Sequence, residues 1–347
     1  MRRTASLSRF VSRFQGAKIL VVGDLMLDEF VWGQVSRISP EAPVPVVWVQ
    51  SESVMPGGAA NVANNIRSLG AVVTIAGIVG QDRLGEVLLE ELVSRKIDTR
   101  AVLRVNRPTT VKTRVIAHHQ QVVRVDRELQ EPLSDSIVRR LIQKIDSLLG
   151  RVDAVVIEDY GKGLVTRELL SAIIPRARRL GKIVTVDPKE DHFDLYRGVS
   201  ALTPNRTEAG GALGRSLMSH NEVLRGGEEL MQRLQCEGLL ITLGEDGMCL
   251  FERNGQKTYI PTVAQEVFDV AGAGDTVIAA FTLALASGAP MAEAARIANQ
   301  AAGIVVGKLG VAVVSPQELI SRLHPEKRSA RHRRQKPALQ IPPKVGR

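Results

Sequence analysis

Residues Asp269-Val-Ala-Gly-Ala-Gly-Asp275 form a turn of small side chains that runs into an apolar helical stretch, Thr276 to Ser287, with a carboxylate at the junction. The first turn of a helix has backbone N–H groups without intrahelical partners and carries a partial positive charge, so it attracts anions. Gly272, Ala273 and Gly274 add no bulk that would keep an anionic oxygen away from those amides. Asp275 follows, within reach of whatever reacts with the anion. An anion hole beside a carboxylate base suits phosphoryl transfer to a hydroxyl group. The same residues would also serve as an ordinary capped helix start after a glycine turn, so the rest of the chain must decide.

Further candidates follow apolar runs. Asp24 and Asp28 come just after Lys18–Gly23, and carboxylates there can accept several hydrogen bonds from a hydroxyl-rich ligand. Gly57 and Gly58 open a helix in Pro56-Gly-Gly-Ala-Ala-Asn61, allowing a ligand close to the backbone, with Asn61 one turn in. Asp159-Tyr-Gly-Lys162-Gly163 and Asp187-Pro-Lys189 each set a lysine beyond a buried run. Two converging lysines suit an anionic substrate such as a phosphorylated sugar; solvated loop lysines are the plain alternative. Asn205, Arg206, Thr207 and Glu208 start another helix, where an amide and a carboxylate could organise water around Mg²⁺ and nucleotide phosphates. Thr242, Gly244 and Gly247 make a turn that could lie over a nucleotide. Gly303-Ile-Val-Val-Gly-Lys308 has the wrong spacing for a P-loop and no Ser or Thr after the lysine. The six histidines are scattered, and His118–His119 have no Cys or carboxylate at zinc-ligand spacing.

These residues need a scaffold that gathers them. The runs 18–23, 154–157, 182–187 and 238–244 are continuously apolar, as for strands buried on both faces. Helical stretches at about 58–69, 84–94, 134–149, 166–179, 219–235, 273–287 and 290–308 alternate with them. The alternation predicts an α/β fold, an open, mostly parallel sheet with helices on both faces, whose ligands sit at the carboxyl ends of the strands. Two regions break the rhythm. Residues 30–50 carry Pro40, Pro43 and Pro45 among valines, and 101–126 give three strand-like pieces with no helix between them. Together they predict a small β-sheet lid.

A chain of 347 residues with 44% hydrophobic side chains builds a substantial core, and aromatics at 3% leave it to Val, Leu, Ile and Ala. No run is long and apolar enough to span a membrane, and Cys236 and Cys249 read as reduced core thiols of a cytoplasmic protein. The net charge of +9 is concentrated at the ends: residues 1–18 carry five basic side chains, residues 326–347 a net seven, and the body between is slightly acidic. This distribution argues against specific nucleic-acid binding. Residues 1–16 are expected to be a basic extension, 17–323 the domain, and 324–347 a disordered basic tail.

With these residues assembled, the chain resembles the ribokinase-like (PfkB) family of carbohydrate kinases from about residue 17 to about 320. Gly57-Gly58 with Asn61, Asn205 with Glu208, and Asp269 to Asp275 match its motifs in order. Within that family, several segments are similar to kinases that phosphorylate D-glycero-β-D-manno-heptose 7-phosphate at O1 in lipopolysaccharide core synthesis. They include Gly23-Asp-Leu-Met-Leu-Asp28, Ser36-Arg-Ile-Ser-Pro-Glu-Ala-Pro-Val-Pro-Val46, Gln120-Gln121 with Arg124, and Val306-Gly-Lys-Leu-Gly310. The proline-rich stretch discriminates best, because it lies in the lid rather than in the general kinase machinery.

The resemblance implies Asp275 as base, with Gly272, Ala273 and Gly274 holding the transferring phosphate. It implies that Asn205, Arg206, Thr207, Glu208, Thr242, Gly244, Gly247 and Asn299 serve ATP and Mg²⁺, with the metal carried by ATP and water near Glu208 rather than by a direct protein ligand. Asp28, Gly57, Gly58, Asn61 and Asp24 would hold the sugar, with Lys162 and Lys189 assigned to its phosphate. K⁺ is an optional further cation, and a homodimer paired through lid strands is expected. Ala271 departs from the subgroup, which commonly has Thr there. No His-x-Gly-His-type nucleotidyltransferase signature occurs, so a kinase-only form is expected. The alternatives are another sugar or nucleoside kinase of the family, or a nucleic-acid or membrane-surface binder using the basic tail.

Overall fold

The computed structural model describes residues 2–324 apart from 119, 265 and 309. In chain order the strands are β1 (Lys18–Gly23), β2 (Leu25–Ile38), β3 (Pro45–Gly58), β4 (Val72–Gly80), β5 (Asp98–Val105), β6 (Thr110–Ala117), β7 (Gln120–Arg127), β8 (Ala154–Glu158), β9 (Ile183–Asp187), β10 (Ala201–Leu202), β11 (Gly238–Thr242), β12 (Met248–Glu252) and β13 (Lys257–Ile260). The helices are α1 (Arg2–Val11), α2 (Ala59–Ser68), α3 (Arg83–Ser94), α4 (Asp135–Leu149), α5 (Arg167–Arg179), α6 (Arg206–Ala212), α7 (His220–Leu234), α8 (Ala273–Ala286), α9 (Met291–Val305) and α10 (Pro316–Leu323).

The apolar run of β1 shows why the layers form. Ile19 and Val21 enter one hydrophobic core and Leu20 and Val22 the other, so the strand needs cover on both faces. Side chains of α1, α2, α3, α8, α9 and α10 build the first core, and α4, α5 and α7 cover the second. The sheet has nine strands in the order β13-β12-β11-β10-β9-β8-β1-β4-β5. It is parallel from β11 through β5, with an antiparallel β11-β12-β13 edge. This is the expected α/β architecture. Among the described residues no helix is long and apolar enough to cross a membrane.

The lid is a second sheet in the order β3-β2-β6-β7, antiparallel except for the β2–β6 pair. Its extent differs from the expected 30–50 and 101–126. β2 starts at Leu25, directly after β1, and β3 runs on to Gly58 at the start of α2, so the lid grows out of the site itself. The first piece of 101–126 is β5, which pairs with β4 and buries Ala101, Leu103 and Val105 in the main domain. Pro45 opens β3, an edge strand, where a missing N–H is tolerated.

The 1–16 segment also departs from expectation. Residues 2–11 form α1, and Leu7, Phe10, Val11 and Phe14 are buried in the first core beside Leu319 and Leu323 of α10. The exposed Arg9 lies on the outer side of a docked helix rather than on an appendage. The tail from residue 325 onward lies outside the described residues, as does His119.

Candidate active site

Helix α8 is capped at its start by Gly272, whose φ of +75° is a left-handed conformation that favours glycine. A Cβ there would meet Asn61 Nδ2 at 3.0 Å. The turn is held by Asp269, whose Oδ1 accepts the Ala271 N–H at 2.9 Å. Ala273 donates its N–H to Val270 O at 3.2 Å, so this amide is already engaged; Gly272 and Gly274 carry no such turn bond.

Asp275 is buried (6% exposed) in the first turn of α8. Its Oδ2 accepts from Asn61 Nδ2 at 2.5 Å and its Oδ1 from Tyr160 Oη at 3.0 Å. Asn65 accepts from Thr276 Oγ1 and donates to Asn61, locking α2 to α8 behind the carboxylate. Burial pushes the Asp275 carboxyl up to about 6, and the charge of Asp28 adds to this, while the hydrogen bonds from Asn61 and Tyr160 oppose it. Tyr160 is itself driven well above the usual phenol range, by burial first and then by the Asp275 charge, so its hydroxyl remains a donor.

Two more carboxylates end the neighbouring strands. Oxygens of Glu158 (end of β8), Asp187 (end of β9) and Asp275 lie within 4.8 Å of one another. Burial raises both Glu158 and Asp187 well above the carboxylate range; the charges of Asp187, Asp275 and Glu208 add to this at Glu158, and those of Glu208 and Asp275 at Asp187, while the contact with Glu158 favours the ionised form of Asp187. Glu158 Oε2 is buried with no hydrogen-bond partner. An orphaned oxygen in a cluster of hard carboxylate donors fits Mg²⁺, which would offset the repulsion. This differs from the expectation of no direct protein ligand. Glu158 stands out only once β8 and β9 are paired.

Asn205 and Glu208 close a capping box on α6: Asn205 Oδ1 accepts from the Thr207 and Glu208 amides, and Glu208 accepts from Asn205 N at 2.8 Å. The motif therefore builds its own helix start, and it also sets Glu208 beside the carboxylate cluster. Arg206 bonds Asp246 at 2.5 Å, tying α6 to the turn after β11. Thr242, Gly244, Gly247 and Asn299 line a largely apolar cavity of about 480 Å³ that reaches Ala273 and Gly274. Asn299 donates to Pro261 O at 2.8 Å, so its amide nitrogen holds the cavity wall.

On the lid side, Asp28 meets Arg114 Nη1 of β6 at 2.5 Å, a partner with no signature in the sequence. A Cβ on Gly57 would come within 2.6 Å of Asp28 Oδ2, and Gly58 has φ +54°. Asp24 has a backbone role that the sequence did not suggest: its buried oxygens accept the N–H groups of Tyr160 (2.9 Å), Lys162 (3.1 Å) and Leu164 (3.3 Å). Burial and the Asp159 charge raise it to about 6. It is the anchor of the 160–164 loop. Lys162 and Lys189 do line one pocket, of about 540 Å³, which Tyr160 also lines. Each lysine has a carboxylate partner, Glu128 at 2.8 Å and Glu190 at 3.2 Å.

A family profile described as "pfkB family carbohydrate kinase" matches residues 17–318. The bifunctional protein HldE of Pelobacter propionicus is 47% identical over 317 residues, which cover 91% of this chain and 65% of that protein. The protein of the same name from Trichlorobacter lovleyi is 47% identical over 323 residues, covering 92% of this chain and 66% of the relative. The chain thus spans about two thirds of the length of these relatives. Among solved structures, an Arabidopsis thaliana ribokinase complexed with ribose and ATP has a TM-score of 0.71 at 20% identity, covering 89% of this chain and 99% of that one. Phosphofructokinase-2 from Escherichia coli, in complex with substrates and products, has a TM-score of 0.74 at 20% identity, covering 88% and 98%. At such identity the likeness speaks for a ribokinase-like fold.

Proposed function

The chain belongs to the pfkB family of carbohydrate kinases, and from that premise we propose that it transfers the γ-phosphoryl group of ATP to O1 of D-glycero-β-D-manno-heptose 7-phosphate. The product would be the 1,7-bisphosphate, for ADP-heptose and lipopolysaccharide core synthesis. The observation that carries the chemistry is the buried Asp275 carboxylate at the amide-bearing start of α8, held by Asn61 and Tyr160. The choice of acceptor rests on the lid segment Ser36–Val46 and is supported by the identity to proteins named HldE.

In this reading Asp275 takes the proton of the O1 hydroxyl as the O1–Pγ bond forms and the bond from Pγ to the β,γ-bridging oxygen breaks, releasing ADP. The amides of Gly272 and Gly274 stabilise the transferring oxygens, with Ala273 closing the turn. The apolar cavity beside Gly244 and Asn299 takes the nucleotide base. Bound Mg²⁺ supplies charge neutralisation at the nucleotide phosphates; Glu158 and Asp187, backed by Glu208, are the residues that would hold it. Asp28, Gly57, Gly58 and Asn61 border the sugar, and the pocket of Lys162 and Lys189 takes its phosphate. The exposed lid side chains, Trp48 at 75% and Val125 at 55% among them, support a homodimer paired through the lid. A cytoplasmic location accords with a substrate pair of ATP and a phosphosugar.

The direct test is ATP consumption with Mg²⁺ on heptose 7-phosphate, both anomers, against fructose 6-phosphate, ribose and adenosine, in K⁺ and in Na⁺ buffer. Preference for another acceptor would discard the pathway and retain Asp275. Lys189→Ala is expected to raise KM for the phosphosugar more than KM for ATP. A rise confined to ATP would instead put Lys189 on the nucleotide, since its charge also acts on Glu208. Turnover should fall as pH drops through about 6, where Asp275 gains a proton and ceases to be a base. Tyr160→Phe removes a hydrogen bond that favours the ionised form, so the acid limb of the pH–kcat profile should move to higher pH. An unmoved limb would separate Tyr160 from the base.

A further inference from the structure

The pocket that holds Lys162 and Lys189 contains another nitrogen group that no sequence motif singles out. His192 lines it from a 3₁₀ turn, Glu190–Tyr196, that follows β9. Its Nδ1 lies 2.7 Å from Asp159 Oδ2, and the Asp159 side chain is fully buried while His192 is 31% exposed. The same carboxylate oxygen accepts from the buried Tyr196 hydroxyl at 2.6 Å, and Asp159 Oδ1 accepts from Gly161 N at 2.8 Å. Tyr196 in turn accepts the Lys189 N–H at 3.2 Å. A solvated histidine needs no such mount. Here two buried groups fix where the ring stands, much as a carboxylate fixes a ligand histidine in other sites.

With Nδ1 engaged, Nε2 is the ring's remaining polar atom, and it has no partner among the described residues. Among the other lining residues the charged ones are Lys162, Lys189 and Arg167, with Asp191 the one carboxylate. Both lysines are already answered by Glu128 and Glu190, so a phosphate must compete for them. His192 offers a positioned nitrogen that no side chain contests.

Resting on the reading of a phosphorylated acceptor, we propose that His192, mounted on Asp159, binds the phosphate group the acceptor already carries and so selects phosphorylated over unphosphorylated sugar. With Asp159 engaging Nδ1, Nε2 is left facing the pocket, and a ring nitrogen that donates to a phosphate makes a charge-assisted bond, which is of the strong kind. The mount also ties this contact to the reacting end. Asp159 holds Gly161, and the preceding residue, Tyr160, places its hydroxyl on Asp275.

The experiment compares wild type and His192→Ala on heptose 7-phosphate and on the unphosphorylated heptose. KM for the phosphosugar should rise about tenfold or more in the variant, the scale of one hydrogen bond to a charged group. KM for ATP should stay put, and the preference over unphosphorylated heptose should shrink by the same factor. Equal losses on both sugars, or an unchanged phosphosugar KM, would overturn the proposal. A second measurement covers a variant that fails to fold. The imidazole ¹⁵N signal of His192 in the wild-type chain should shift with heptose 7-phosphate in the absence of nucleotide, and should not shift with unphosphorylated heptose. A still signal overturns the proposal. If wild type favours another phosphosugar, the same comparison is made with that sugar and its unphosphorylated form. An enzyme that takes only unphosphorylated sugars sinks both the acceptor reading and this proposal, whereas a phosphosugar-specific enzyme with a still His192 signal sinks this proposal alone.

Discussion

Asp275→Asn is expected to lower turnover by at least ~10²-fold, the lower range for a positioned general base, while ATP binds almost as in wild type. The asparagine keeps the shape of the side chain and retains hydrogen-bonding capacity toward Asn61 and Tyr160, so the turn that faces the nucleotide is preserved. It cannot accept the proton of the sugar hydroxyl. Loss of fold is not the expected route. The Asp275 carboxyl is raised to about 6, which means the folded state binds its proton more readily than the unfolded chain does. Stability from this group is therefore present at low pH and lost as pH rises through about 6, so at pH 7 the ionised form weakens the fold. A neutral asparagine removes that burden, and the variant should melt no lower than wild type. Turnover and ATP affinity, measured by ADP release and by calorimetry, check both halves. Near-normal turnover would refute the assignment of the base.

Asp187→Asn is expected to raise the Mg²⁺ concentration for half-maximal activity by about 10–100-fold, the range for groups that hold or orient a metal. Buried Glu158 and half-buried Asp187 crowd together with Asp275, and the unpartnered Glu158 Oε2 leaves the cluster incomplete without a cation or a proton. Removing one carboxylate removes one of the charges that would hold the metal. It also relieves the repulsion, so the folded state should not suffer. Activity titrated against Mg²⁺ at saturating ATP gives the answer. An unchanged midpoint would mean that the cluster shares a proton and plays no part in metal binding.

What was legible in the sequence follows the range of the interactions. β1, β8, β9 and β11 were visible because a strand covered on both faces must be apolar throughout, a purely local signal. The α8 turn is visible for the same reason, since glycine and a first-turn carboxylate make up the candidate anion site within seven residues. Roles set by distant partners were hidden. Asp24 reads as a ligand-gripping carboxylate beside a strand end, yet its partners are three amides of the 160–164 loop, known only when β1 lies against β8. Tyr160 and Glu158 gain meaning from Asp275, which α8 brings to the top of β8 from far along the chain. The basic residues of α1 masked its apolar face, because net charge averages over the side that docks against α10. No helix separates β5 from β6, so the sequence groups it with the lid, and only its pairing with β4 assigns it to the main sheet.

The most direct measurement is ³¹P NMR of the purified chain incubated with heptose 7-phosphate and Mg·ATP. The account predicts a new anomeric phosphate signal growing in step with ADP while the 7-phosphate signal persists. ADP formation without an anomeric signal, or no ADP beside rapid turnover of a different sugar, would contradict it.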